Sequence, residues 1–187
     1  MPTVIDAKMH YGKWHDIEVE DDVTAYCTYA NGATGTFITS TGDTPGSNRF
    51  EIVCDGGTLL CDGKEELVMY KLDVPEPEFT KTYKGGFGHP NAERIVVETD
   101  GQNPQHSGVL NAFAANILRG EPLVADGREG INGLTISNAM HLAAWTGQEV
   151  KIPFDEDLYY EELMKRVATS RRKVEVQAQV GDTEGTY

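Results

Sequence analysis

Five histidines are the side chains best suited to acid–base chemistry in this chain, because imidazole changes its charge near neutral pH. His15 lies in a polar loop between Trp14 and Asp16 and is the most site-like of the five. His89 precedes Pro90 in a glycine-rich insertion, where it is placed to line a cleft. Neither has a recognisable catalytic partner, so an independent hydrolase or lyase is a weak hypothesis. The other three are interpreted as sheet-surface, helix-capping and core residues: His10, His106 and His141.

The sequence lacks the motifs that bind a dinucleotide or activate a nucleophile. A nucleotide-binding half requires a strand, then Gly-x-Gly-x-x-Gly, then a helix, whereas the glycine-rich run at 85–88 is followed by His-Pro. Glu18, Glu20, Asp21 and Asp22 are interpreted as a solvated strand entrance, because no second oxygen-rich cluster completes a calcium or magnesium shell. We therefore expect no cofactor, no metal and no catalytic residue in this chain.

Length and charge exclude several classes of protein. The chain has 187 residues and a net charge of −14, which fit one acidic globular domain. Such a surface repels phosphate backbones, so nucleic-acid binding is disfavoured. No run approaches the roughly 18 apolar residues of a membrane helix, and the first residues carry no secretory signal pattern. Cysteines inside strand-like runs, at Cys27, Cys54 and Cys61, favour reduced thiols and a cytoplasmic location.

The clearest local signal is a β-hairpin at Asn31-Gly32. Residues 23–30 and 33–41 are β-rich, and Asn-Gly supplies the two positive-φ residues of a type I′ turn. We expect Ala30 to pair with Ala33. That register predicts one face made of Thr24, Tyr26, Thr28, Gly35, Phe37 and Thr39, and another made of Val23, Ala25, Cys27, Tyr29, Thr34, Thr36, Ile38 and Ser40.

Both hairpin faces are uncharged, which predicts a sheet covered on both sides. An antiparallel sheet with one solvated face normally alternates apolar with clearly polar residues. The helices are too few to cover both faces, so we expect one face to lie in the interface of a homodimer or larger homo-oligomer. Either of two sets could form it: Tyr26, Thr28, Phe37 and Thr39, or Tyr29, Thr34, Thr36 and Ile38. The alternative is an ordinary threonine-rich solvated face.

The remaining elements form a strand-rich front and a helical back. Further strands are predicted at 3–11, 49–54, 58–61, 67–72, 95–99 and 150–153, with an irregular insertion at 75–90. Asn103-Pro104 predicts a helix start, Asp126 and Glu129 resemble a capping box for a buried helix, and 158–172 predicts a closing helix. We therefore predict an α+β domain over 1–172, with a flexible tail over 173–187. Its sheet is open and largely antiparallel or mixed, with helices on one face and the subunit interface on the other.

An ordered series of short segments supports a family resemblance. Val19-Glu20-Asp21-Asp22 precedes the hairpin, Asn31-Gly32 forms its turn, Phe50-Glu51-Ile52-Val53 leads into Gly56-Gly57, and helical segments follow at 106–120 and 129–147. This series resembles the C-terminal domain of the glucose-fructose oxidoreductase / inositol dehydrogenase / MocA family over about residues 1–172. The order of the segments carries the resemblance, since no single motif is diagnostic.

The resemblance implies a Rossmann domain followed by an open sheet domain, in an enzyme that oxidises or reduces sugars, inositols and related polyols with NAD or NADP. The family's catalytic lysine lies in the nucleotide domain, and its Asp and His pair precedes the point where this sequence begins. Neither has a counterpart here. The family's sheet mediates dimers and tetramers.

The resemblance also implies where substrate binds. In the family, the loop that enters the Glu-Ile strand tends to line the substrate pocket, and here that loop spans 41–50. Its polar residues Asp43, Asn48 and Arg49, with His15 and His89, are the candidate substrate-binding residues.

On this interpretation the chain is the substrate-binding and oligomerisation domain of an NAD(P)-dependent sugar or polyol oxidoreductase. It lacks its nucleotide-binding half and is expected to be inactive alone, with NAD or NADP bound only in the intact enzyme. The alternative belongs to a different class: a stand-alone assembly or regulatory module that keeps the fold and catalyses nothing.

Overall fold

Strands dominate the first half of the chain and helices the second, in a computed structural model that describes residues 1–63, 66–102 and 104–171. The strands are β1 (Val4–Tyr11), β2 (Glu20–Thr28), β3 (Thr34–Ser40), β4 (Phe50–Cys54), β5 (Gly57–Cys61), β6 (Leu67–Leu72), β7 (Ala92–Val96) and β8 (Val150–Lys151). The helices are α1 (Glu76–Thr82), α2 (Gln105–Arg119), α3 (Gly130–Thr146) and α4 (Glu156–Thr169). Asn103 and the predicted tail lie outside the described residues, as do Arg172 and Lys173.

The strands pair in two four-stranded antiparallel sheets. The first sheet has the order β3-β2-β1-β8 and the second the order β4-β5-β6-β7. The predicted α+β class with open antiparallel sheets is confirmed, but the strands expected in one sheet are divided between two. Local turn signals specify each hairpin, whereas the pairing of one hairpin with the next depends on tertiary contacts. The sequence pattern therefore could not separate the two sheets.

The described chain forms two compact units. One comprises Met1–Gly42 with the described part of Ala125–Tyr187, and the other comprises Asp43–Val124. Within the described residues, no helix is long and apolar enough to cross a bilayer.

The hairpin between β2 and β3 forms as predicted, but its register was wrong by one residue. The N–H of Tyr29 donates to the carbonyl of Ala33, so these two residues pair and Ala30, Asn31 and Gly32 form a three-residue loop. Gly32 has a φ of +86°, whereas Asn31 is not among the residues with positive φ. A type I′ turn needs positive φ at both positions, and a three-residue loop needs it only at its last one.

The extra loop residue moves every side chain of β3 to the other face, because side chains alternate along a strand. Phe37 and Thr39 consequently lie on the face of Ala25 and Val23, with which they pair. The outward face of β2 and β3 is made of Asp22, Thr24, Tyr26, Thr28, Thr34, Thr36, Ile38 and Ser40. The two predicted interface sets, which joined Tyr26 to Phe37 and Tyr29 to Ile38, are both corrected by this register.

The core of the first unit lies between β1, β2 and helix α3, whose principal contact is with β1. Ala7 and Ala25 face the helix from the sheet, and Ala139 and Ala143 face the sheet from the helix, each at most 1% exposed. Small side chains on both sides let the helix axis approach the sheet closely. The buried set also includes Ile5, Cys27, Met140, Leu142 and Val150.

Several element boundaries differ from the predicted ones. Helix α1 falls in the segment predicted to be irregular, because Pro75 serves as its N-cap and Pro77 sits in the first turn, where proline costs no hydrogen bond. Strand β7 begins at Ala92, three residues before the predicted start. Asp126 caps the 3-10 turn Gly127–Glu129 that precedes α3 rather than α3 itself.

Helix α2 in the second unit leaves its apolar stripe exposed. Ala115 is its buried residue, whereas the larger apolar side chains are 55–76% exposed: Val109, Leu110, Phe113, Ile117 and Leu118. Helix α3 was predicted to be buried, and this holds for its C-terminal half. Its N-terminal half exposes Ile131 and Leu134.

Candidate functional site

A buried carboxylate organises the loop between β1 and β2. Asp21 is 3% exposed. Its two carboxylate oxygens accept hydrogen bonds from three successive backbone N–H groups, those of Lys13 at 3.0 Å, Trp14 at 2.7 Å and His15 at 3.0 Å. Successive N–H groups that converge in this way form an anion-binding concavity, here filled by the chain's own side chain. The solvated strand entrance predicted for the acidic run is therefore wrong at Asp21.

The hydrogen bonds explain how Asp21 stays charged in a buried position. Burial acts to raise the pKa of Asp21, but the backbone N–H groups of Trp14, His15 and Lys13 outweigh it and hold the pKa below its usual value. A buried charge is tolerated when it is fully hydrogen-bonded. The carboxylate at neutral pH is thus a fixed anchor for residues 13–15.

Asp22 gathers a charged cluster on the opposite face of β2. Its carboxylate oxygens lie 2.5 Å from Lys13 Nζ and 3.1 Å from His10 Nδ1, and Trp14 Nε1 donates to it at 3.4 Å. The bond from Lys13, followed by that from His10, lowers the pKa of Asp22. The cluster therefore presents a carboxylate acceptor beside nitrogen donors.

The side chain of Trp14 is exposed, but its contacts hold the ring in place. Its side chain keeps 48% of its surface open, and Lys13 Nζ lies 4.7 Å from the ring centroid. The ring rests on the backbone of Gly42, where a Cβ would come within 2.3 Å of a ring carbon. Thr41 donates its N–H to the carbonyl of Asp21 at 3.0 Å. We call residues 13–15 the Asp21-anchored loop. Thr41 and Gly42, at the start of the 41–50 loop predicted to line a substrate pocket, therefore contact Asp21 and this loop.

A cavity of about 520 Å³ opens beside Asp21 and Thr41. It runs between α3 and the hairpin, and its walls are mainly apolar, with Cys27, Phe37 and Met140 among them. An apolar cavity with a few polar groups at its mouth is the usual form of a small-molecule site. We take the Asp21-anchored loop and this cavity together as the candidate site.

Among the predicted site residues, His15 contributes to this loop through its backbone N–H. The other four belong to the second unit, where all are exposed: Asp43, Asn48, Arg49 and His89. Their predicted role in binding substrate stays a prediction.

Two of the predicted residues have defined partners in the second unit. Arg49 donates to Glu51 Oε2 from Nη2 at 2.6 Å and from Nε at 3.2 Å, and this pairing raises the pKa of Arg49. His89 Nδ1 lies 3.0 Å from the carbonyl oxygen of Pro90, which accepts its hydrogen bond in the matching tautomer.

The sequence-based prediction missed Asp21, Asp22, Lys13 and Trp14 as site residues. A signal for Asp21 was present: it stands two residues before Val23, in phase with the apolar residues of β2 that face the core. A carboxylate at a core-facing position needs hydrogen-bonding partners, and the nearest unassigned donors were in the preceding loop.

A second cavity, of about 610 Å³, lies between α4, α3 and the ends of β1 and β2. Trp145 stacks on Tyr159 with ring centroids 5.5 Å apart, and the Arg166 guanidinium lies 4.2 Å from the Trp145 ring centroid. Trp145 Nε1 is buried without a hydrogen-bond partner. Burial raises the pKa of the neighbouring Tyr11 hydroxyl. The indole N–H of Trp145 lies close enough to lower that pKa in part, although it does not form a well-aligned hydrogen bond.

His141 borders both cavities and was predicted to be a satisfied core histidine. Its Nε2 lies 3.1 Å from Glu20 Oε2, and its Nδ1 lies 2.8 Å from the carbonyl oxygen of Ser137. Both ring nitrogens therefore have partners, as predicted.

Metal and thiol chemistry find little support in the described part of the chain. No group of three or more His, Cys, Asp and Glu residues there could hold a metal ion. Cys27, Cys54 and Cys61 are free, and burial raises the pKa of the Cys27 thiol. A buried thiol that stays protonated is a poor nucleophile.

Residues 1–60 match the family model described as the GFO/IDH/MocA C-terminal domain, and they include the whole Asp21-anchored loop. This part of the chain is similar to a GFO/IDH/MocA C-terminal domain. The family resemblance drawn from the order of its segments is confirmed. No curated protein sequence matches the chain.

Several solved structures share the fold of this chain. Levoglucosan dehydrogenase, in complex with NADH and levoglucosan, has a TM-score of 0.61 at 15% identity, covering 82% of this chain and 46% of its own. The WlbA dehydrogenase from Bordetella pertussis, in complex with NADH and UDP-GlcNAcA, has a TM-score of 0.58 at 22% identity, covering 82% and 41%. The aldose-aldose oxidoreductase from Caulobacter crescentus, complexed with glycerol, has a TM-score of 0.59 at 19% identity, covering 81% and 41%. The chain therefore spans less than half the length of each.

Proposed function

We propose that this GFO/IDH/MocA domain is the substrate-binding and oligomerisation part of an NAD(P)-dependent oxidoreductase that acts on sugars or related polyols. The fold that it shares with dehydrogenases over about four-fifths of its length carries the proposal. Levoglucosan, UDP-GlcNAcA and glycerol, named with these structures, are all hydroxylated compounds. A loop fixed by Asp21 beside an apolar cavity is a suitable place to hold such a molecule.

The chain's own residues would bind and orient the substrate. The polar side chains that line the cavity, those of Glu20, Ser40 and Thr41, would exchange hydrogen bonds with the hydroxyl groups of the substrate. The bound dinucleotide supplies the hydride acceptor or donor in the intact enzyme. On this proposal the GFO/IDH/MocA domain positions the substrate, and a Rossmann domain binds the dinucleotide that exchanges the hydride.

The described residues do not fit a dinucleotide, and we propose that these 187 residues bind none on their own and transfer no hydride. The glycine-rich run at 85–88 lies between α1 and β7, so a strand follows it instead of a helix. A pyrophosphate site needs the N–H groups of a helix N-terminus directly after the glycine turn. Neither NAD nor NADP is therefore assigned to a residue of this chain.

The outward face of the first sheet is proposed as the interface of a homo-oligomer in the cytoplasm. Apart from Asp22, its side chains on β2 and β3 carry no charge, and Tyr26 and Ile38 are 49% and 68% exposed. The neighbouring strand β1 presents an ion pair between Lys8 and Asp6 on the same face. Light scattering that gives a monomer mass would contradict this proposal.

Calorimetric titration of NADH into the purified chain tests the proposal that these residues bind no dinucleotide. We expect no heat of binding up to millimolar NADH, with full-length levoglucosan dehydrogenase as the positive control. Binding in the micromolar range would overturn the proposal. A parallel titration with ring polyols separates the proposed substrate-binding role from that of a non-catalytic assembly module, which would bind none.

A further inference from the structure

The second cavity, of about 610 Å³, lies on the helix side of the first sheet. Residues of α3 and α4 form two of its walls, and the ends of β1 and β2 complete it. It therefore lies on the opposite side of the sheet from the outward face that is proposed as the subunit interface. Most of its lining side chains are apolar or aromatic: Tyr11, Ile17, Val19, Trp145, Tyr159, Leu163 and Val167.

Charges of opposite sign line this cavity. The Arg166 guanidinium lies 4.2 Å from the Trp145 ring centroid, and the Glu20 carboxylate stands at the start of β2. Both charges act on the Tyr11 hydroxyl at the end of β1. Burial raises the pKa of Tyr11, the Trp145 N–H and the Arg166 charge lower it, and the Glu20 charge raises it. The two charges are therefore within reach of one small ligand placed beside Tyr11.

Both charged groups keep hydrogen-bonding capacity for a ligand. Arg166 Nη1 donates to the Glu162 carboxylate at 2.9 Å and to the Glu162 carbonyl at 2.6 Å, and its other nitrogens make no hydrogen bond with the described residues. Glu162 also accepts from Lys165, so it compensates the Arg166 charge only in part. Glu20 Oε2 lies 3.1 Å from His141 Nε2, and Oε1 has no partner among the described residues. A guanidinium and a carboxylate can each make more hydrogen bonds than these.

The other carboxylate at this cavity, that of Glu18, is already occupied. Its oxygens accept hydrogen bonds from the Ser170 hydroxyl at 2.6 Å and from the backbone N–H of Arg171 at 3.1 Å. Glu18 thus ties the loop before β2 to the end of α4 and supports one wall of the cavity. Glu20 is left as the carboxylate available to a ligand.

The opposite charges favour a zwitterion over a simple ion. An anion is attracted by Arg166 but repelled by Glu20, and a cation meets the reverse. A metal ion finds no ligand set, because no group of three or more His, Cys, Asp and Glu residues in the described chain could hold one. A free α-amino acid carries an ammonium group and a carboxylate on the same carbon atom. The termini of a peptide lie too far apart to offer both charges together.

We infer that the second cavity binds a free α-amino acid with an apolar or aromatic side chain. The carboxylate of the ligand pairs with Arg166, its ammonium group pairs with Glu20, and its side chain packs on the apolar wall of α4. The site is separate from the proposed oxidoreductase function. Because Glu20 and His141 also line the first cavity, the ligand contacts a wall of the candidate site.

An NMR titration of the isotope-labelled 187-residue chain with three ligands that share a phenyl ring tests this assignment. L-phenylalanine carries both charges, phenethylamine keeps only the ammonium group, and hydrocinnamate keeps only the carboxylate. We expect L-phenylalanine to bind and each analogue to bind about tenfold more weakly or worse, because each loses a charge-assisted hydrogen bond. The indole N–H signal of Trp145 should shift more than that of Trp14, the other tryptophan of the chain.

Two variants assign the charges of the ligand to their partners. Arg166→Met should abolish the advantage of phenylalanine over phenethylamine, and Glu20→Gln should abolish its advantage over hydrocinnamate. Arg128→Met is the matched control and should bind phenylalanine like the wild-type chain. It removes an exposed arginine of the same unit that pairs with Asp126 and does not line the cavity.

The ligand series on the wild-type chain decides the inference without any variant. An affinity for either analogue that equals or exceeds that for phenylalanine overturns it, and so does a failure of phenylalanine to bind. A shift confined to the Trp14 indole places the ligand elsewhere and also overturns it. Should Arg166→Met or Glu20→Gln fail to fold, Leu163→Trp fills the cavity from α4, and undiminished binding of phenylalanine by that variant contradicts the inference.

Discussion

Replacing Gly42 by alanine should displace the Trp14 ring without unfolding the protein. A Cβ at position 42 would lie 2.3 Å from Cδ2 of the indole, 2.5 Å from Cγ and 2.6 Å from Cε2. Carbon atoms in contact stay about 3.5 Å apart, so the ring has to retreat by more than about 1 Å. Because Thr41 and Trp14 are both tied to Asp21, neither backbone can move away freely.

The expected cost is modest because Trp14 is half exposed and can turn toward solvent. Overpacking costs about 1–3 kcal/mol in a closed core, and we expect the lower end of that range here. A loss of about 1 kcal/mol corresponds to a fall in unfolding temperature of about 2–4 °C for a chain of this size. The displaced indole also loses its contact with Asp22.

Fluorescence in a Trp145→Phe background measures the displacement, because the chain has two tryptophans and this change leaves Trp14 as the single emitter. Phenylalanine keeps an aromatic ring at position 145, where Tyr159 and Arg166 pack against the indole. We expect red-shifted emission and stronger acrylamide quenching in the Gly42→Ala variant. Gly56→Ala is the matched control, because no atom lies within 4 Å of its added Cβ.

Unchanged emission and quenching in the Gly42→Ala variant would refute the contact between Trp14 and Gly42 in solution. A loss of stability far above 1 kcal/mol would also refute the reasoning, because it would mean that the ring cannot yield toward solvent. Equal changes in the Gly56→Ala control would show that the probe reports on glycine replacement in general.

Two further predictions concern Asp21 and the outward sheet face. Because the pKa of Asp21 is lowered in the folded chain, its stabilisation is complete above the unfolded pKa and is lost as pH falls through the folded pKa. Asp21→Asn should therefore weaken the loss of folding stability at acid pH and speed hydrogen exchange at residues 13–15. The control Asp43→Asn should leave both measurements unchanged. An unaltered loss of stability at acid pH in Asp21→Asn contradicts the anchoring role of this carboxylate. Ile38→Lys should reduce the mass measured by light scattering to that of a monomer, whereas Thr39→Lys, on the opposite face, should not, and an intact oligomer in the former excludes this face as the interface.

Local sequence patterns were enough to place most of the elements. Alternation and turn residues located the strands of both hairpins, and glycine ended α2 and α3 with left-handed conformations at Gly120 and Gly147. The α+β class follows from this order of elements. These features depend on residues close together in the chain, so periodicity and turn chemistry determine them.

The hairpin register shows where local patterns stop being sufficient. Asn31-Gly32 fits both a two-residue and a three-residue loop, and the choice between them decides which face Phe37 and Ile38 occupy. Packing of the β2 residues against α3 and β1 selects a single inward face, which the turn sequence alone does not specify. The residues of the outward face, which we propose as the subunit interface, could therefore be identified only once the fold was known.

The sequence by itself determined the family resemblance, the absence of a dinucleotide motif and the positions of most helices and strands. The tertiary structure decided the division into two sheets and the composition of the candidate site. Asp21 and Trp14 are seven residues apart in the chain, and Gly42 comes from the far end of β3. Hydrogen bonding to one buried carboxylate and the close approach of an indole to a glycine join them, and such contacts exist only once β1, β2 and β3 have paired.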